Sequence, residues 1–171
     1  MLLVQAGNLH QLTFLFERYQ APLFTFLTRL NYGDEQTGQD LTQNVFLRVL
    51  KYRASYRPGE RFRTWLYQLA RRVHADHWQQ ARPTGPDPDT LEQTAAHFLA
   101  AHAQFAAASQ AHALQDALNH LPAAQREVLV LHHLEGFDYA EVGQFLGCSA
   151  GAARMKAHRA LEALRTLFFA D

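Results

Sequence analysis

Cysteine is nearly missing. Cys148 stands alone among 171 residues, so neither a disulfide framework nor a cysteine-based zinc site is available, and Cys148 reads as a small turn residue. Asn-Gly and Asp-Gly turns are absent, and no stretch alternates apolar and polar residues, which excludes β-hairpins. No segment approaches the roughly 18 to 20 apolar residues of a membrane span. Met1–Gly7 carries too short an apolar run for a secretory signal. A soluble, cytoplasmic, all-α protein with no membrane insertion is therefore expected. There is no Gly-rich phosphate loop, no Ser/His/Asp arrangement with supporting context and no paired-carboxylate site, so neither an enzyme nor a cofactor nor a small-molecule substrate is expected. The ten histidines include His74/His77 and His132/His133, but no His-Glu-x-x-His. They read as surface or amphipathic helix positions, with no metal site.

Net charge is absent too: 16 basic side chains balance 16 acidic ones. The distribution is uneven, however. Residues 1–82 hold 11 basic against 6 acidic side chains. Residues 83–113 hold three acids and no base, and the remainder has five bases against seven acids. A basic first half with an acidic joint suits a bipartite nucleic-acid binder.

Leu9, Leu12, Phe16, Tyr19, Leu23, Phe26, Leu27 and Leu30 recur at three- and four-residue steps, predicting a helix over 8–30 that Pro22 kinks or splits. Leu41, Val45, Phe46, Val49 and Leu50 predict a second helix over 35–52. After a loop turning at Pro58-Gly59, Phe62, Trp65, Leu66, Leu69, Ala70 and Val73 predict a third, running to about residue 80, with Trp65 on its buried stripe. The Pro/Gly-rich stretch 82–90 marks a domain boundary. The alanine-rich stretch 91–121, with Phe98 and Phe105 as packing anchors, reads as a helical connector. Pro122 is placed in the first turn of a new helix whose buried face is Val128, Leu129, Leu131 and Leu134, closed by Gly136. Asp138 with Glu141 starts the next helix with a capping box, and Ser149 N-caps the last, which runs to about residue 169.

Two helices joined by the turn Gly147-Cys148-Ser149, the second carrying Arg154, Lys156 and Arg159, form a helix-turn-helix signature. Three domain segments follow: a helical domain over 1–82, a linker over 83–111, and a helix-turn-helix domain over 112–171.

These two halves resemble a bacterial RNA polymerase sigma factor of the extracytoplasmic-function (group IV) type. The first half matches through Asp40-Leu-Thr-Gln-Asn-Val-Phe-Leu-Arg48, Phe62-Arg-Thr-Trp-Leu-Tyr-Gln-Leu-Ala-Arg-Arg72 and Asp76-His-Trp. The second matches through Leu121-Pro-Ala-Ala-Gln-Arg-Glu-Val-Leu-Val-Leu131, Glu135-Gly-Phe-Asp-Tyr-Ala-Glu-Val142, Leu146-Gly-Cys-Ser149 and His158-Arg-Ala-Leu161. Together the blocks cover about 8–82 and 112–168, in order.

The resemblance implies a role for each block. Asp40, Gln43, Asn44, Leu47 and Arg48 can share one helix face, which in the family grips a coiled coil on the largest subunits of core RNA polymerase; a solvated helix face is the other reading. Asn44 replaces the usual acidic residue, which weakens that grip. The loop and helix from Tyr56 correspond to the reader of the −10 promoter element. Arg57, Arg61, Arg63, Arg71 and Arg72 supply charge for phosphates, while Tyr56, Tyr67, His74, His77 and Trp78 offer rings or hydrogen-bonding edges for an unstacked base. Gln79-Gln-Ala-Arg82 replaces the denser basic run of the family, which implies weaker phosphate binding.

Ser149 and the free N–H groups beside it suit a phosphate of the −35 element. Arg154 and Lys156 suit base edges or backbone, and Arg159 suits phosphate. Ala152 stands where Thr is common. Ala153, Met155 and Ala157 replace larger or polar residues, so a weakened −35 contact is expected. An alternative sigma factor with core polymerase, promoter DNA and an anti-sigma factor as partners is the implied function. A sigma-like interaction protein with degraded promoter binding remains open, as does a one-component helix-turn-helix regulator that binds duplex DNA without polymerase. A histidine-dependent metalloenzyme would require stoichiometric metal.

Overall fold

The computed structural model describes residues 1–81 and 110–169. The expected boundary at 82–90, Arg82, the connector over 91–109, Phe98 and Phe105 lie outside the described residues. The chain divides into two compact units, Met1–Arg82 and Pro83–Asp171. Every helix and strand element among the described residues is helical.

In the first unit a short α1 (Leu2–Gln5) precedes α2 (Gln11–Leu30), α3 (Glu35–Lys51) and α4 (Phe62–Ala81). The spacing of Leu23, Phe26, Leu27 and Leu30 places all four on one face of α2, and all are buried. Against them stand Leu41, Val45, Phe46 and Val49 of α3 and Leu66, Leu69, Ala70 and Val73 of α4. Trp65 joins this core as expected, with the rings of Tyr56 and Phe62 at 5.5 and 5.8 Å. Asp34 caps α3: one carboxylate oxygen accepts from the Thr37 backbone N–H at 3.1 Å and the other from the Thr37 hydroxyl at 2.6 Å.

Two expectations for α2 are corrected. Pro22 does not split it; α2 is one 20-residue helix with Pro22 inside. Nor is its first half part of the core, because no residue from Gln11 to Pro22 is buried. Phe16 meets Phe46 at 4.8 Å and Tyr19 meets Phe62 at 5.3 Å, but these are edge contacts at the rim of the helical core. The helix α1 carries no sequence signal. It buries Val4, and Gln5 Nε2 donates to the Tyr56 carbonyl at 2.7 Å.

The second unit holds α5 (Gln110–Asn119), α6 (Ala123–Leu129), a π-helical turn over Val130–Leu134, α7 (Tyr139–Leu146) and α8 (Ala150–Phe169). Pro122 is the N-cap of α6 rather than its first residue, and Leu134 is only half-buried while Val130 is fully buried. The π-helical turn rotates Leu134 at its end off the buried face, whereas Val128 to Leu131 are all enclosed ahead of it. Asp138 and Glu141 form the expected capping box on α7.

The tight turn between α7 and α8 depends on two glycines. Gly147 closes α7 in the left-handed region at φ 64°. The chain then folds back on Gly143: the Cys148 N–H donates to the Gly143 carbonyl at 2.9 Å. A Cβ on Gly143 would meet the Cys148 carbonyl oxygen at 2.6 Å, and backbone cannot step aside as a side chain does. Gly143→Ala should therefore lower the stability of the second unit by about 1–3 kcal/mol, read as an earlier far-ultraviolet circular dichroism transition. Ser149 caps α8, its hydroxyl accepting from the Ala152 N–H at 3.2 Å.

Candidate functional site

The first candidate surface lies on α3. Asp40, Gln43, Asn44 and Leu47 fall at steps of three and four residues and are all exposed, with Leu47 66% exposed in the middle of polar neighbours. A lone exposed leucine is ordinary on a protein surface and marks no site by itself. Arg48, expected on the same face, turns toward α4 and pairs with Asp76 (Nη1 to Oδ2, 2.7 Å). The pair ties α3 to the helix expected to read DNA. A double-mutant cycle over Arg48→Ala and Asp76→Ala should return a coupling of about 0.5–1 kcal/mol, modest because water reaches both groups. Urea unfolding followed by tryptophan emission measures it.

The second surface is the loop before α4 and α4 itself. Arg57, Arg61 and Arg72 are exposed. Arg63 is half-buried over the ring of Tyr67 at 5.3 Å, and Arg71 is half-buried. The aromatic residues are placed differently from the expectation. Tyr56 is buried, its hydroxyl donates to the Glu60 carbonyl at 2.6 Å, and Phe62 and Trp65 flank its ring. It anchors the loop from within and offers no open face to a base. Tyr67 is fully buried against Phe26. Trp78 is half-buried with its indole N–H directed inward to Asn31 and His74. His74 is thereby an acceptor within the fold. His77, also half-buried, lies edge-on to Trp78 at 6.1 Å.

The third surface is α8. Arg154, Lys156, Arg159 and Met155 are exposed, whereas Ala153, Ala157 and Ala160 are fully buried. That separation revises one sequence-level inference. The alanines at 153 and 157 are the small residues that let α8 press onto its own unit, and the smallness does not fall on the cationic face. The exposed Ser149 keeps its capping bond, and Lys156 Nζ reaches back to within 3.9 Å of Cys148 Sγ.

Two features carried no sequence signal. Arg126 is buried, Nε donating to the Leu118 carbonyl at 3.0 Å and Nη2 to that of Leu121 at 3.2 Å. His132 stacks on Tyr139 with centroids 3.9 Å apart, and its Nδ1 donates to the Phe137 carbonyl at 2.8 Å. Partial desolvation and then the adjacent His132 hold His133 below its usual value of 6.5. The unfolded chain therefore binds the extra proton first, and this residue withdraws stability as pH falls below that value. Among the described residues no group of three or more His, Cys, Asp or Glu is placed to hold a metal ion, and no helix is long and apolar enough to cross a membrane.

Comparison with known proteins finds two matched regions. Residues 15–84 match the family described as Sigma-70 region 2, and residues 111–164 match Sigma-70, region 4. The chain is 36% identical over 153 residues to the RNA polymerase sigma factor CarQ of Myxococcus xanthus, covering 90% of this chain and 86% of that protein. It is 35% identical over 141 residues to the ECF RNA polymerase sigma factor SigF of Caulobacter vibrioides, covering 81% and 74%. In fold it is similar to the sigma factor RpoE solved in complex with the anti-sigma factor NepR from Bartonella quintana. That likeness has a TM-score of 0.71 at 20% identity and covers 94% of this chain and 98% of that one.

Proposed function

This chain belongs to the sigma-70 family, in its extracytoplasmic-function group, and from that premise we propose how its two units share the work of directing RNA polymerase to promoters. The chain supplies promoter choice in the cytoplasm and catalyses nothing itself; RNA synthesis belongs to the polymerase. The α3 stripe of Asp40, Gln43, Asn44 and Leu47 grips core polymerase, with Leu47 as its apolar centre. Arg48 works from behind that stripe, holding α4 through Asp76.

The −10 element meets the loop after α3 and the face of α4. Arg57, Arg61, Arg63, Arg71 and Arg72 supply the phosphate contacts. Tyr56, His74 and Trp78 act on DNA through the shape of that surface. The −35 element meets α8, with Arg154 and Lys156 toward base edges or backbone, Arg159 toward phosphate, and Ser149 at the helix start. An anti-sigma protein is the third partner of this reading, since the solved sigma factor of the same fold carries one.

The observation that carries the proposal is the pairing of both matched regions, in order, with a cationic face left exposed in each. Run-off transcription tests it, using bacterial core polymerase with and without this protein on genomic fragments of its own organism. New discrete start sites that vanish with Arg71→Ala/Arg72→Ala are expected. Association with core polymerase without new transcripts would favour a partner-binding protein, and absence of any association would remove the reading.

A further inference from the structure

The far end of α4 holds a hydrogen-bonded cluster directed into the fold, behind the surface proposed to meet the −10 element. Trp78 donates its single indole proton to two acceptors at once, Asn31 Oδ1 at 3.1 Å and His74 Nε2 at 3.0 Å. Asn31 sits just past the end of α2, only 3% exposed. Its own amide nitrogen donates to the Leu27 carbonyl at 2.8 Å, so its oxygen is the group left to face the indole. The rings of Tyr32, His74 and His77 surround Trp78 edge-on, with centroids 6.1 to 6.3 Å away. Tyr32 itself has φ 58°, a backbone conformation that a bulky residue adopts only where its surroundings hold it.

The chemistry of the two rings fixes a protonation state. An indole N–H can only donate, so the imidazole nitrogen that faces it must present a lone pair. The bond to His74 therefore exists only while that imidazole is neutral, with its proton on Nδ1. Adding a proton to Nε2 sets N–H against N–H, and Trp78 is left with Asn31 alone. Imidazole takes up that proton at about pH 6.5 when unperturbed.

The charged and titratable neighbours come from three elements. On α4 they include Asp76, His77 and, one turn before His74 in sequence, Arg71; on α3 they include Arg48, which engages Asp76, and past the end of α2 Tyr32.

We propose that Asn31 and His74 are positioning residues that form a proton-sensitive lock on Trp78, closed when His74 is neutral and loosened when it is protonated. The lock sets the orientation of the last turns of α4 and so the surface offered to the −10 element, and to that extent it rests on the −10 reading of α4. Neither residue needs to touch DNA. Acid then weakens promoter opening through the protein's own fold, without any ligand.

The first arm of the test needs no promoter. In the full-length, 15N-labelled protein the indole N–H resonance of Trp78 is identified by its loss in Trp78→Phe and followed from pH 8 to pH 5.5. It should move along a titration curve that disappears in His74→Gln, whose amide oxygen accepts at every pH, and persists in His77→Gln. The same spectra report whether each variant is folded. A resonance that does not titrate, or that titrates unchanged in His74→Gln, would overturn the lock.

The second arm compares −10 opening by the holoenzyme, read as permanganate reactivity of unpaired thymines, at pH 7.5 and pH 6. Wild type should lose about three- to tenfold more opening than His74→Gln, the factor that one net hydrogen bond represents. Identical pH profiles in the two proteins would refute the positioning role even if the resonance titrates. A holoenzyme with no promoter activity at either pH would instead count against the sigma-factor reading, while the first arm still judges the lock.

Discussion

Arg126→Ala should lower the stability of the second unit by about 3 kcal/mol, the largest loss expected from any single substitution in it. The guanidinium is 1% exposed and donates to the carbonyls of Leu118 and Leu121. Leu118 lies in the last turn of α5, where carbonyls have no partner within the helix, and a cation there also complements the helix dipole. Truncation takes the donor from the buried Leu121 carbonyl, leaves the Leu118 carbonyl with the Leu121 N–H alone, and opens a void the size of the side chain. Arg126→Met separates the two effects, because it restores most of the volume and none of the donors. It should recover less than half of the loss, whereas a full recovery would mean that Arg126 acts by packing alone. Both tryptophans, Trp65 and Trp78, belong to the first unit. The loss should therefore appear in helix content by circular dichroism and leave the tryptophan emission transition in place.

How such a residue escapes a reading of the sequence is instructive. Arg126 lies among the polar residues of Ala123-Ala-Gln-Arg-Glu127, where periodicity assigns charge to the outside. What decides its burial is the end of α5 lying beside it, a tertiary fact with no local signature. The same limit explains Pro22. A proline inside a helical pattern warns of a break, yet α2 continues because Leu23, Phe26 and Leu27 immediately after it are held in the core. The π-helical turn over Val130–Leu134 turns Leu134 off the buried face, which a fixed period of 3.6 residues cannot anticipate.

Local chemistry was legible where it is self-contained. The Asp138–Glu141 capping box, the turn at Gly147 and the Ser149 cap each need only a few consecutive residues, and each stands as the sequence implies. Surface chemistry divides in the same way. The four exposed residues of the α3 stripe follow from helical spacing. The inward aim of Tyr56 and Trp78 does not, because an aromatic ring with a polar edge serves a core and a surface equally well. Only the partners at Glu60, Asn31 and His74 resolve which it is.

That division between faces also shapes the outcome expected at α8. Replacing Arg154, Lys156 and Arg159 together by alanine should cut transcription from promoters that depend on the −35 element by more than about tenfold, as the loss of three charge contacts to DNA implies. The salt dependence of holoenzyme binding should become shallower by up to about 2.7 logarithmic units, roughly 0.9 for each phosphate contact removed. All three side chains are exposed, so the melting of the second unit should stay within about 0.5 kcal/mol of wild type. Association with core polymerase should be unchanged, since the α3 stripe is untouched. Ala157→Leu provides the contrast. Its added carbons enter a fully buried position, so promoter activity should fall together with stability, by about 1–3 kcal/mol. If the triple variant loses stability to the same extent, the cations hold the fold rather than the DNA. If it keeps both stability and its salt dependence, the −35 contact lies elsewhere on the second unit.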